Sequence, residues 1–122
     1  MDRICLKNMI FYGYHGVMPE EQRLGQRFSI DAELRLPLGR ASRTDALEDT
    51  VNYAEVYELI RQVTEEERYA LIERLAGEIG RRVLARFPLL DSIAVTVHKP
   101  SAPVPGPLGD VAVTVETERR DG

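Results

Sequence analysis

Arg27-Phe28-Ser29-Ile30-Asp31-Ala32-Glu33-Leu34-Arg35-Leu36 decides the fold. Side chains of a strand alternate between its two faces, so Phe28, Ile30, Ala32, Leu34 and Leu36 share one side and the polar residues share the other. That is a strand buried on one face only, and Pro37 and Gly39 end it. Downstream, Asn52 followed by Glu55 fits a capping box, and Val56, Leu59, Ile60 and Val63 recur behind it at helical spacing. A second helix carries Ile72, Leu75, Ala76, Ile79 and Val83 on one face until Pro88 stops it. Two further alternating runs follow, Ile93 to Lys99 and Val111 to Glu116. Upstream, Ile4 to Phe11 reads as a strand, broken by Gly13-Tyr14-His15-Gly16. The segments Met18–Gly25 and Arg40–Thr50 read as polar loops. The order ββααββ gives an α+β fold, a four-stranded antiparallel sheet with two helices on one face. So small a sheet has exposed edges, which predicts an oligomer.

The 122 residues fit one domain, 1–122. A net charge of −4 gives no basic stripe for nucleic acid. No apolar run reaches the roughly 20 residues needed to span a bilayer, and the N-terminus lacks a signal-peptide core. The expectation is a cytoplasmic protein without nucleic-acid or membrane partners. Cys5 is the only cysteine, and its place among Ile4 and Leu6 predicts a packed thiol. With Cys5, His15 and His98 as the whole Cys and His supply, no zinc site is expected.

Four polar residues invite a chemical reading. Lys99 ends the apolar side made by Ile93, Val95 and Val97 and precedes a loop stiffened by Pro100, Pro103, Pro105 and Pro107. It reads either as a proton carrier, since burial favours the neutral amine, or as a lysine snorkelling to solvent. Glu21 reads as a solvated loop acid unless something recruits it. Tyr53, in the first turn of its helix, is a packing aromatic or a functional phenol. Glu73, at the flank of the second helix's stripe, faces either solvent or a cleft.

The chain resembles the dihydroneopterin aldolase family over most of its length. The resemblance is carried by Phe11-Tyr12-Gly13-Tyr14-His15-Gly16-Val17, Glu21 with Gly25-Gln26 and Phe28, Arg43-Thr44-Asp45, Asp49-Thr50-Val51-Asn52-Tyr53-Ala54-Glu55-Val56, Leu71-Ile72-Glu73-Arg74-Leu75-Ala76, and Lys99-Pro100. It implies a tunnelling fold, in which small sheets of several subunits join into a barrel. It also implies tetrameric rings stacked into an octamer, with sites between adjacent subunits. The implied reaction splits 7,8-dihydroneopterin into 6-hydroxymethyl-7,8-dihydropterin and glycolaldehyde, with no cofactor. By the same resemblance Lys99 is the main acid/base, Glu21 its partner, and Tyr53 the proton donor to the enamine carbon, reaching in from a neighbouring subunit. Glu73 anchors the pterin edge, and Val51 and Ile72 help hold the ring. A dihydroneopterin triphosphate 2'-epimerase, served by Arg23, Arg27 and Arg43, and a non-catalytic pterin-binding oligomer are the alternatives. Zinc-using pterin enzymes of the same fold fit poorly with two histidines.

Overall fold

The computed structural model describes residues 1–119. Strand β1 (Arg3–Gly13) pairs with β2 (Gln26–Arg35), β2 with β3 (Ser92–His98), and β3 with β4 (Ala112–Glu118), all antiparallel, in the order β1-β2-β3-β4. The β2 alternation is realised: Phe28, Ile30, Ala32 and Leu34 are buried, while the intervening residues are partly or fully exposed. The outer face carries charge instead, with Arg35 bonded to Glu33 and Glu116 at 2.7 Å each. β1 and β4 are the sheet's two edges.

Two long helices cover the apolar face, α3 (Tyr53–Glu66) and α4 (Ile72–Arg86). Asn52 caps α3 by accepting from the Ala54 N–H at 3.0 Å. Such a cap is worth about 1 kcal/mol. The start of α4 has no side-chain cap, and burial of each of Leu75, Ile79 and Val83 contributes about 1.5–3 kcal/mol, so packing holds α4 in place. Its C-terminal carbonyls, which a helix leaves without intrahelical donors, are met by Arg119. That guanidinium donates to the carbonyls of Leu84 at 2.8 Å and Phe87 at 3.0 Å, and also to Leu90.

Three expectations need correction. Met18–Gly25 is not all loop: Pro19–Leu24 forms a short helix, α1, with proline at its start and Glu20 and Glu21 in its first turn. Arg40–Thr50 likewise contains α2 (Ala41–Thr44) and a 3₁₀ turn at Leu47–Asp49. Neither segment has an apolar stripe, so periodicity was silent about both. Cys5 is exposed rather than packed. Leu6 takes the inner face, which turns Cys5 outward, cross-strand from Glu33. The β1 alternation then slips at a bulge between Leu6 and Met9, where Asn8 adopts φ +56°.

Candidate active site

The Gly13–Gly16 turn brings backbone and rings together at one end of the sheet. His15 is fully buried. Its Nε2–H donates to the Thr64 carbonyl at 2.8 Å, and its Nδ1 accepts from the Tyr69 N–H at 3.1 Å. Burial pushes its pKa down, so the ring is a neutral staple joining β1 to the α3–α4 connection. Gly16, at φ +153°, is held by its N–H to the Tyr69 carbonyl at 3.0 Å. A Cβ at Gly16 would lie 2.5 Å from the Glu21 carboxyl carbon. The turn needs glycine there because Glu21 folds back over it.

Glu21 and Lys99 meet at this end. Lys99 Nζ lies 2.5 Å from Glu21 Oε2, and the two side chains are only 13 % and 10 % exposed. Gln26 donates to the same Oε2 at 3.0 Å, and the Met18 N–H donates to Oε1 at 3.3 Å. Burial pushes the Glu21 pKa up, but the bonds from Lys99, Gln26 and Met18 outweigh it and hold the carboxyl below its ordinary value. It is therefore an ionised acceptor held against the Lys99 amine. Gln22 donates to the Gly16 carbonyl at 2.9 Å. Arg68 donates to the Gln22 carbonyl at 3.1 Å while lying over the Tyr14 ring. These contacts fix α1, and α1 fixes Glu21.

Ile72 and Glu73 begin α4, three residues after Tyr69, whose backbone bonds His15 and Gly16 at this end. Ile72 is buried and Glu73 exposed. Val51 and Tyr53 do not join them. They border a hollow of about 390 Å³ together with Ile4, Leu47 and Thr50. Val51 is buried and Tyr53 is 63 % exposed. The register fixes the separation. Ile4 pairs with Leu34 at one end of the sheet, whereas Ile10 pairs with Ser29, which faces His98, the residue before Lys99. The five residue steps of β2 from Leu34 to Ser29 span about 17 Å at 3.3 Å each. One chain therefore presents the two groups at opposite ends of the sheet.

Gln26 is the residue that sequence reasoning left without a role. Its signal was the one that exposed Lys99: Gln26 continues the inner-face alternation of Phe28 and Ile30 as a polar terminus. Its Oε1 is buried and makes no hydrogen bond. Among the described residues no group of three or more His, Cys, Asp and Glu side chains is placed to hold a metal ion. None of the described helices is long and apolar enough to cross a membrane.

Comparison with known proteins gives a consistent result. The family described as dihydroneopterin aldolase (FolB) matches residues 4–116. A dihydroneopterin aldolase of Methylorubrum extorquens is 45 % identical over 120 residues, covering 98 % of this chain and 92 % of the relative. One of Bacillus subtilis is 42 % identical, covering 98 % and 99 %. The crystal structure of the E. coli dihydroneopterin aldolase in complex with neopterin superimposes with a TM-score of 0.87 at 28 % identity, covering 96 % of this chain and 99 % of that one.

Proposed function

The chain belongs to the dihydroneopterin aldolase family and is an aldolase of folate biosynthesis with the tunnelling fold; we propose that it cleaves 7,8-dihydroneopterin by proton transfer alone, at a site shared between two copies. A retro-aldol step needs a sink for the electron pair of the broken carbon–carbon bond. The dihydropterin carries an imine at the carbon that bears its side chain. Protonation of that ring nitrogen lets the pair pass into the ring as an enamine. The side-chain hydroxyl loses its proton as glycolaldehyde departs. Protonation of the enamine carbon then yields 6-hydroxymethyl-7,8-dihydropterin.

The observation that carries this reading is the buried pair Lys99–Glu21, a proton donor and a proton acceptor held 2.5 Å apart. Lys99 is the acid and base for the ring nitrogen and the hydroxyl, directly or through water. Glu21 positions it. Tyr53 protonates the enamine carbon. Glu73, exposed at the same end as Lys99, accepts the two parallel N–H groups of the pterin edge. Ile72 and Val51 flank the flat ring. Side-chain epimerisation follows from the same chemistry, because glycolaldehyde can add back to the other face. A cytoplasmic location belongs to the same proposal. Incubation with dihydroneopterin and a chelator should release glycolaldehyde at an undiminished rate. Loss of turnover on stripping divalent ions, or a covalent amine adduct trapped by borohydride, would overturn the proton-transfer reading.

The division of the site supports assembly. β1 and β4 leave unpaired edges in one chain, and Tyr53 borders Ile4 at the opposite end of the sheet from Lys99. Rings of four, stacked in pairs, would bring the Tyr53 end of one copy to the Lys99 end of the next. Co-assembly of inactive Tyr53→Phe and Lys99→Ala chains should therefore regenerate activity at about a quarter of the sites in a random equal mixture. No recovery, with mixing verified by mass, would place the whole site within one chain.

A further inference from the structure

We propose that His98 is a positioning residue for Lys99: bridged between Asp31 and Asp110, it clamps the root of the 100–111 loop to the outer face of the sheet and so fixes the strand end from which Lys99 projects. This rests on the reading of Lys99 as the proton-transferring group.

The geometry converges on His98 from three parts of the chain: β1, β2 and the loop after β3. Its Nε2–H donates to Asp31 Oδ2 on β2 at 2.8 Å, and its Nδ1–H donates to Asp110 Oδ2 at the far end of the loop at 2.6 Å. Asp31 is held in place by the β1 bulge, whose Asn8 N–H donates to Asp31 Oδ1 at 2.6 Å. Ser29, the cross-strand partner of His98, donates its hydroxyl to Asn8 Oδ1 at 2.8 Å. The irregular backbone at Asn8, φ +56°, thus aims an N–H at the carboxylate that receives His98. Both ring nitrogens act as donors only when the imidazole is protonated.

Lys99 needs such support. The β3 ladder ends at His98, so Lys99 is the first residue beyond it. Its own N–H donates to the Val111 carbonyl at 2.7 Å, and its carbonyl accepts from the Ala102 N–H at 3.1 Å. The segment between Lys99 and Val111 crosses no strand or helix. The Asp110 bond on one face and the Lys99–Val111 bond therefore close the two ends of the loop on each other. Alternation sends the Lys99 side chain to the opposite face from His98, towards Glu21.

The charged groups around the ring are Asp31 on β2, Asp110 in the loop, Lys7 on β1, which acts on Asp31, and Lys99 next in sequence. Hydrogen bonds to Asp110 and then Asp31 raise the His98 pKa above its ordinary 6.5, against a smaller opposing effect of burial. A raised pKa means that the clamp is fully made below the ordinary value and is lost as pH rises through the elevated one. It therefore holds below 6.5 and opens as pH rises through the raised value.

The experiment uses Asp110→Asn and Asp110→Ala in the full chain. With two histidines in the sequence, one of them buried, the His98 ring signal can be followed by NMR as pH is raised. Wild-type His98 should titrate above 6.5, and both variants should move it down. Amide hydrogen exchange at Lys99 and Ala102 should quicken in parallel. kcat should fall about tenfold with KM little changed, short of the 100-fold that a 1 Å misplacement can bring, and the alkaline limb of the kcat profile should shift to lower pH. A merely structural contact would lower the melting temperature and leave that limb in place. Unmoved His98 titration, unchanged exchange, or an unshifted limb with wild-type kcat would each overturn the clamp. If Lys99→Ala retains turnover, the proton-transfer reading has failed; if Lys99→Ala is inactive while Asp110→Asn matches wild type, the clamp alone has failed.

Discussion

Replacing Lys99 with alanine should lower turnover of dihydroneopterin by at least about a hundredfold, the lower scale of general acid–base catalysis, while a pterin analogue still binds. On the proposed roles the two readouts separate, because Glu73 and its neighbours would grip the ring while Lys99 would act only on protons in flight. The substitution also removes the cation facing Glu21, whose side chain is only 10 % exposed. Leaving one partner of a buried pair uncompensated costs about 3–5 kcal/mol, so the variant's melting temperature should fall as well. The double variant Lys99→Met with Glu21→Gln removes both charges and keeps similar volume. It should recover much of the lost stability and none of the lost turnover. Turnover in the double variant near the wild-type rate would take Lys99 and Glu21 out of the mechanism.

Replacing Glu73 with alanine should weaken binding of a pterin analogue by about 2–4 kcal/mol, the scale of losing charge-assisted hydrogen bonds, or roughly 30- to 900-fold in Kd. Glu73 is exposed, in the first turn of α4. Its loss therefore opens no cavity. It removes only a favourable acid at a helix N-terminus, worth about 0.3–1 kcal/mol. Affinity and stability thus part company in the opposite sense from Lys99→Ala. Glu73→Gln, which retains one acceptor oxygen and adds an N–H where the ligand presents its own, should bind little better than alanine. Calorimetry reads both variants, and an affinity that barely moves would show that the ring is anchored elsewhere.

What the sequence made legible was whatever repeats. The period-2 run from Phe28 to Leu36 fixed β2 and its buried face, and the 3.6-period stripe from Ile72 to Val83 fixed α4, because burial imposes the period. The Asn52 cap was readable, but not its partner: the pattern pointed to a box with Glu55, and the structure has Asn52 accept from the Ala54 N–H instead. Lys99 stood out as a polar residue ending an apolar stripe, and the structure gives it a buried partner. Contacts that join distant segments leave no local trace. Arg119 caps α4 from 35 residues away at Leu84, and His98 reaches back 67 residues to Asp31. Helix α1 did carry a usable sign, a proline at its first position followed by two acids, which favours a helix start. Its lack of apolar residues hid it. The bulge at Asn8 was hidden because asparagine tolerates left-handed backbone without announcing it.

On the proposed sharing of the site between copies, the two ends of the sheet set a rule of arithmetic. A string of n copies joined end to end completes n − 1 centres and strands an orphan half at each terminus. Only closure into a circle completes all n. Every added copy in an open string dilutes the waste without abolishing it, so a shared site favours a closed circle over a string.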